Sequence, residues 1–271
     1  MDQQSKNIMS SEGNAPNRSY TTNTSGKERQ VDDYTGNDQV KNQKNKKANK
    51  KLIIGGIVVA VAVVIFIVIL LFPTISKTIK MIQLRNASVG STITFGKYEQ
   101  DGFTVNGKED IEWIVLDKQD DKILVISKYG LDCKCYNDIY DEVSWRECSL
   151  RKWLINDFMV EAFSEEEANM IPTVDVVCIG YSGTKYTVKD KVFILSREEI
   201  LSYGEEKFET TATDYAKNNG AFVAGTHHCN YWARSAAGSQ ADWFQEVDFF
   251  IHPFDVNCGD NSVRPAMWIS I

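Results

Sequence analysis

Between Leu52 and Phe72 the sequence has no charged or strongly polar side chain at all. That absence excludes an ordinary surface helix. A helix of 21 residues is roughly 30 Å long, the thickness of a bilayer's hydrocarbon core. The run is too long for the apolar core of a cleaved secretory signal and lies too far from the first residue, so it reads as a transmembrane helix. Residues 1–51 lack Trp, Phe and Leu and show no apolar period, which excludes a packed core there. The chain also lacks a Gly-x-Ser-x-Gly elbow, a His-Glu-x-x-His pair and a phosphate loop. Three large enzyme classes lose their usual signature.

What is present divides at the apolar run. Before it, Lys and Arg outnumber Asp and Glu; after it the balance reverses, and the whole chain carries a net charge of -7. An acidic body argues against nucleic-acid binding, which needs a basic surface. Lys41, Lys44, Lys46, Lys47, Lys50 and Lys51 precede the run, whereas Lys77, Lys80 and Arg85 follow it. Positive charge resists translocation, so the N-terminal side is expected in the cytoplasm, with Lys41–Lys51 against anionic lipid headgroups of the cell membrane. The resulting expectation is a disordered basic cytoplasmic tail (1–51), a transmembrane helix (52–72), a juxtamembrane stalk (73–86) and an extracytoplasmic globular domain (87–271).

All six Trp and all six Cys lie in that last segment. Ser88–Tyr98 reads as a strand, and Ile111–Lys118 with Lys122–Tyr129 as a hairpin whose strands are apolar on both faces and therefore central. A helix is expected from Ser149, with Leu150, Trp153, Leu154 and Phe158 on one buried stripe. Capping boxes at Ser164/Glu167 and Ser196/Glu199 start two further helices, the first closed by Pro172 and the second by Gly204. A short helix ends near Gly220; strands occupy Lys191–Ser196, Asn230–Ala236, Trp243–Ile251 and Val263–Ile271. Strands and helices are mixed without regular alternation, which predicts an α+β domain with mixed or antiparallel sheets and a few short helices.

Six phrases carry a resemblance: ITFGKYEQDG (93–102), IEWIVLD (111–117), SWRECSLRKWLINDFMVEAFSEEE (144–167), DKVFILSREE (190–199), YWARSA (231–236) and SVRPAMWISI (262–271). Together they resemble the bacterial domain-of-unknown-function family 6273, with Trp145 and Ser149 standing four apart. The resemblance implies an exported or cell-surface domain and brings no assigned activity. The Trp-x-Arg-Ser and Val-Arg-Pro phrases also resemble the core of C-type-lectin-like folds, which include formylglycine-generating enzymes.

Candidate chemistry is sparse. Arg234 and Arg264 sit in apolar strand sequence and need an acid, a carbonyl array or a bound anion; Asp242, Glu246 and Asp248 are the internal partners in reach of sequence reasoning. Trp232 and Trp243, with Trp268, are either core or the aromatic lining of a sugar or peptide pocket. Trp232, Arg234, Trp243 and Arg264 are thus the candidate ligand contacts. Six cysteines permit disulfides or free thiols, with Cys229 and Cys258 as the candidate pair. The grouping of His227, His228, Cys229 and Cys258 matches no zinc spacing, so no metal is expected there. Asp255, Asn257, Asp260 and Asn261 offer oxygens for calcium without an EF-hand spacing, and no cofactor is otherwise implied. The expected protein is a single-pass surface protein binding an extracellular ligand or protein partner without catalysis. A cysteine-dependent lectin-fold oxidase or hydrolase and a structural envelope spacer are the alternatives.

Overall fold

The computed structural model describes residues 36–180, 183–204, 209–225, 228–245 and 250–271. The chain divides into two compact units, the first ending at Val68 and the second comprising residues 69–271. Helix α1, Gly36–Asn86, is long and apolar enough to cross a membrane. It extends past both ends of the apolar run, so the Lys-rich residues from 36 to 51, expected to be disordered, are helical; 1–35 lie outside the described residues. Once a long apolar helix is nucleated, each further residue adds one backbone hydrogen bond without repeating the nucleation cost. Pro73 is accommodated within the same helix.

In the second unit the last turns of α1 belong to the core. Leu84 and Ala87 are buried, and the Lys118 ammonium donates to the carbonyls of Arg85 and Ala87. The segment expected as a stalk is therefore anchored on the domain.

Strand β1 (Thr92–Tyr98) and the β2/β3 hairpin (Glu109–Lys118, Lys122–Ser127) form where the alternation placed them. They open a five-stranded sheet whose neighbours run β1, β2, β3, then the last strand of the chain, then a short strand from its middle, all antiparallel. Ile123 to Ile126 are all buried, as expected of a central strand covered on both faces. After β4 (Asp132–Cys133) the chain enters helix α2 (Ser149–Trp153), a π-helical turn (Leu154–Phe158) and α3 (Met159–Ala162). The helix begins at Ser149, but its cap is Cys148, whose sulfur accepts from the Arg151 N–H. Leu150, Leu154 and Phe158 are buried and Trp153 is half-buried.

Helix α4 (Glu165–Met170) carries the expected capping box at Ser164 and Glu167. The hairpin β5/β6 (Val174–Ile179, Lys185–Asp190) was not anticipated, because its burial alternates in a short, charge-rich stretch. Only Val192–Phe193 of the expected strand 191–196 forms β7. The second capping box opens α5 (Arg197–Tyr203), which ends at Gly204 with φ +91°. Helix α6 (Asp214–Asn218), capped by Thr213, is followed by β8 (Val223–Ala224) and β9 (His228–Cys229).

The remaining strands are β10 (Tyr231–Ala237), β11 (Gln240–Gln245), β12 (Phe250–Asp255), β13 (Ser262–Val263) and β14 (Ala266–Ser270). The stretch expected as one strand at 243–251 is divided between β11 and β12. The second sheet runs β12-β11-β10-β13-β4, with β10 and β13 parallel; β14 returns between β3 and β7 of the first sheet. The predicted α+β class with chiefly antiparallel sheets and few short helices is the observed one.

Candidate binding groove

Of the candidate ligand contacts Trp232, Arg234, Trp243 and Arg264, the three whose side chains are described are buried. Arg234 is 2% exposed; its guanidinium donates to Glu199 Oε1 at 2.9 Å and to the carbonyls of Ile194 and Val177, and lies over the Phe193 ring. The acid is Glu199, from the capping box of α5, and not Asp242, which lies near Arg197 instead. Arg264, 1% exposed, donates from Nε to the Ser127 carbonyl at 2.8 Å and stacks over Tyr231. Trp232 is buried, with its indole N–H on the Lys134 carbonyl and its ring edge-on to Tyr136. These three fasten the core. The side chain of Trp243, and Glu246 and Asp248, lie outside the described residues.

The same holds for the other phrases that carry the family resemblance. Asp190, fully buried, accepts from the Trp145 indole at 2.9 Å and from Nε and NH2 of Arg151 at 2.9 and 2.6 Å. Trp113 donates to the Phe95 carbonyl at 2.7 Å. The distinctive side chains of each phrase therefore bind another phrase, and their pattern records how the domain is pinned together.

The candidate pair Cys229 and Cys258 is not joined by a disulfide. Cys229 is buried against Gly130, whereas Cys258 is half-buried and donates to Asp260 Oδ1 at 2.8 Å. Burial pushes the Cys133 and Cys148 thiols up to about 12, and burial with the Asp260 carboxylate pushes Cys258 up to about 11. Thiols so far from ionisation are poor nucleophiles. His227 lies outside the described residues.

The oxygens considered for calcium differ in their surroundings. Asn261 is fully buried, Asp255 and Asn257 are exposed, and Asp260 is engaged by Cys258. Among the described residues one carboxylate trio does converge, Glu99, Asp101 and Glu109. Each is occupied by the turn it closes: Glu99 accepts from Gly102 N–H, Asp101 from Phe103 N–H and the Asn106 amide, and Glu109 from Gln100 N–H. This is loop scaffolding that sequence spacing did not flag.

A concavity lies elsewhere, between the turns of α1 from Phe72 to Gln83 and the edge strand β1, with the α3–α4 corner at one end. It encloses ≈ 690 Å³. Phe72, Ile75 and Ile79 lie on one stripe of the helix and stay more than half exposed, while Phe95 and Phe163 form the floor. Within 73–86 the sequence places Ile75, Ile79 and Ile82 at helical spacing, and all three are exposed.

Charge in the groove is neutralised pair by pair. Lys80 binds Glu167 and lies over the Phe95 ring, Lys97 meets Asp110 at 2.6 Å, and Lys108 meets Glu161 at 3.3 Å. Glu167 also accepts from the Gly96 N–H and from Ser164. Burial would raise its carboxyl, but Lys80 and the Ser164 N–H outweigh this and hold it below its ordinary range. Neither His nor Cys lines the groove, and the Ser164 hydroxyl is spent on the helix cap. The groove thus combines an apolar floor with a charge-paired rim.

Residues 120–271, more than half of the chain, match the family described as Domain of unknown function (DUF6273). The match begins at the β2–β3 turn, so β1 and β2 precede it although they complete the first sheet. No curated protein and no solved structure matches the chain.

Proposed function

The chain belongs to the DUF6273 family of domains of unknown function, and from that premise we propose that it is a single-pass bacterial surface protein whose globular part binds a partner outside the cell without catalysis. The helix long and apolar enough to span a bilayer supports the anchor, and the six lysines before the apolar run support an inward N-terminus. The acidic body then faces outward.

The groove beside β1 carries the binding half of this reading. An edge strand offers main-chain groups to an extended segment, and the exposed stripe of Phe72, Ile75 and Ile79 offers apolar contacts to its side chains. The occupant that fits is a peptide segment of another protein, apolar along its length and with charge at its ends to exchange with the Lys97–Asp110 and Lys108–Glu161 pairs.

Screening the full chain, held in lipid nanodiscs, against peptide and glycan arrays tests this. Peptide hits that are lost in Ile75→Asp and Ile79→Asp variants are expected. A blank peptide array with folded protein overturns the reading in favour of an envelope spacer, and turnover of an arrayed compound overturns it in favour of an enzyme.

A further inference from the structure

Two of the six thiols differ from the rest: Cys135 and Cys258 are partly exposed, whereas Cys133, Cys148, Cys178 and Cys229 are buried. The two come from distant parts of the chain. Cys135 follows β4, at one edge of the second sheet, and Cys258 sits on the connection that leaves β12 at the opposite edge and crosses to β13. Yet they meet. The Cys135 thiol donates to the Asn257 carbonyl at 3.2 Å and lies 3.5 Å from where a Cβ on Gly259 would stand. It therefore lies beside the backbone that flanks Cys258 in sequence, and a disulfide would need the two Cα atoms about 4.4–6.8 Å apart.

We propose that Cys135 and Cys258 are a disulfide-forming pair that clamps the Asp255–Asn261 crossover to the β4 edge. The inference is independent of the groove. Oxidation proceeds by exchange with a disulfide of another thiol compound, R–S–S–R. The Cys135 sulfur, as thiolate, attacks one sulfur and expels R–S⁻, giving a mixed disulfide. Cys258 then gives its proton to the expelled R–S⁻, and its sulfur attacks Sγ of Cys135, expelling the second R–S⁻. The two thiol protons end on the two expelled thiolates, so the dithiol loses two electrons and R–S–S–R gains them. The neighbouring Cys133 is the internal competitor: its thiol lies 3.1 Å from the Gly259 carbonyl but is buried. Cys258, burdened by burial and by Asp260, is a poor leaving group, so the closed bond resists reduction and acts as a staple rather than a redox catalyst.

Lys134 stands between the two cysteines of the β4 segment, so cleavage after it separates Cys133 from Cys135. The full chain in detergent micelles is reduced, freed of reductant, exposed to oxidised glutathione, capped with N-ethylmaleimide and digested with trypsin. The expected product links the peptide that begins at Cys135 to the peptide that contains Cys258, two hydrogens lighter than the sum. A Cys133→Ser variant keeps the link, and a Cys258→Ser variant loses it and retains glutathione on Cys135. A link from Cys258 to Cys133 or Cys229, or independent labelling of Cys135 and Cys258 with no link, overturns the proposal. The wild-type map decides even if a variant fails to fold.

Discussion

Arg234 NH2 lies 2.9 Å from Glu199 Oε1, while Glu199 Oε2 accepts the Ser196 N–H that opens helix α5. One carboxylate thus caps a helix and neutralises a guanidinium that is almost wholly removed from water. The two roles separate by substitution. Gln at position 199 keeps the capping box and removes only the charge, and because Glu199 is partly exposed the expected loss is about 1–2 kcal/mol. Arg234→Met also strands the carbonyls of Ile194 and Val177, and about 3–5 kcal/mol is expected. Urea unfolding of the full chain in micelles reads both; equal losses would show that the ion pair dominates and that the carbonyl contacts add nothing.

Asp190 is the second such pin. Its carboxylate holds the Trp145 indole and the Arg151 guanidinium with no access to solvent. Asp190→Asn keeps the shape and leaves Arg151 without its anion, so a loss of about 3 kcal/mol is expected. Trp145 fluorescence reports locally. A red-shifted emission accompanying the lower unfolding midpoint is expected, and an unchanged midpoint contradicts the assignment.

Gly96 shows why β1 bends beside the groove. Its φ is +72°, and a Cβ there would meet the Phe163 ring at 2.5 Å and the Ala162 carbonyl at 2.7 Å. The ring has limited room to turn and the carbonyl none, so Gly96→Ala combines backbone strain with a clash. A loss of at least about 2 kcal/mol is expected. Gly90, at φ +86° but with open space around it, is the control; Gly90→Ala suffers only the conformational term of about 1 kcal/mol.

The sequence made local structure legible where the determinant was local. Ser164/Glu167 and Ser196/Glu199 are capping boxes because three-residue spacing alone brings hydroxyl and carboxylate to each other's N–H. The β2/β3 hairpin followed from alternation and a short polar turn. The arginines were correctly read as needing partners, yet the partner of Arg234 comes from a capping box 35 residues away, and no spacing rule joins the two. Pairing of the thiols failed for the same reason: Cys135 and Cys258 meet through a sheet crossover that only the assembled topology creates. Ile75, Ile79 and Ile82 follow a helical period in the sequence, but whether such a stripe is covered depends on what the fold lays against it. Here all three stay about half exposed, while Leu84, off the stripe, is buried.

Glu167 couples the α1 segment to the domain and gives that contact a pH dependence. Its carboxylate binds Lys80 and the Gly96 and Ser164 N–H groups, and despite burial its folded-state pKa lies below the ordinary 4.5. A carboxyl depressed by folding binds its proton less tightly in the folded state than in the unfolded one. Its stabilisation is therefore complete above the ordinary value and is lost as pH falls through the folded one. Glu167→Gln abolishes that term at every pH. The stability difference between wild type and Glu167→Gln should be largest at neutral pH and shrink as pH is lowered from about 5 towards 3. Urea midpoints across that range measure it, with Lys77→Ala, which removes only the exposed partner of Glu166, as a flat reference. A difference that stays constant down to pH 3 would mean that Glu167 acts through packing and not through its charge.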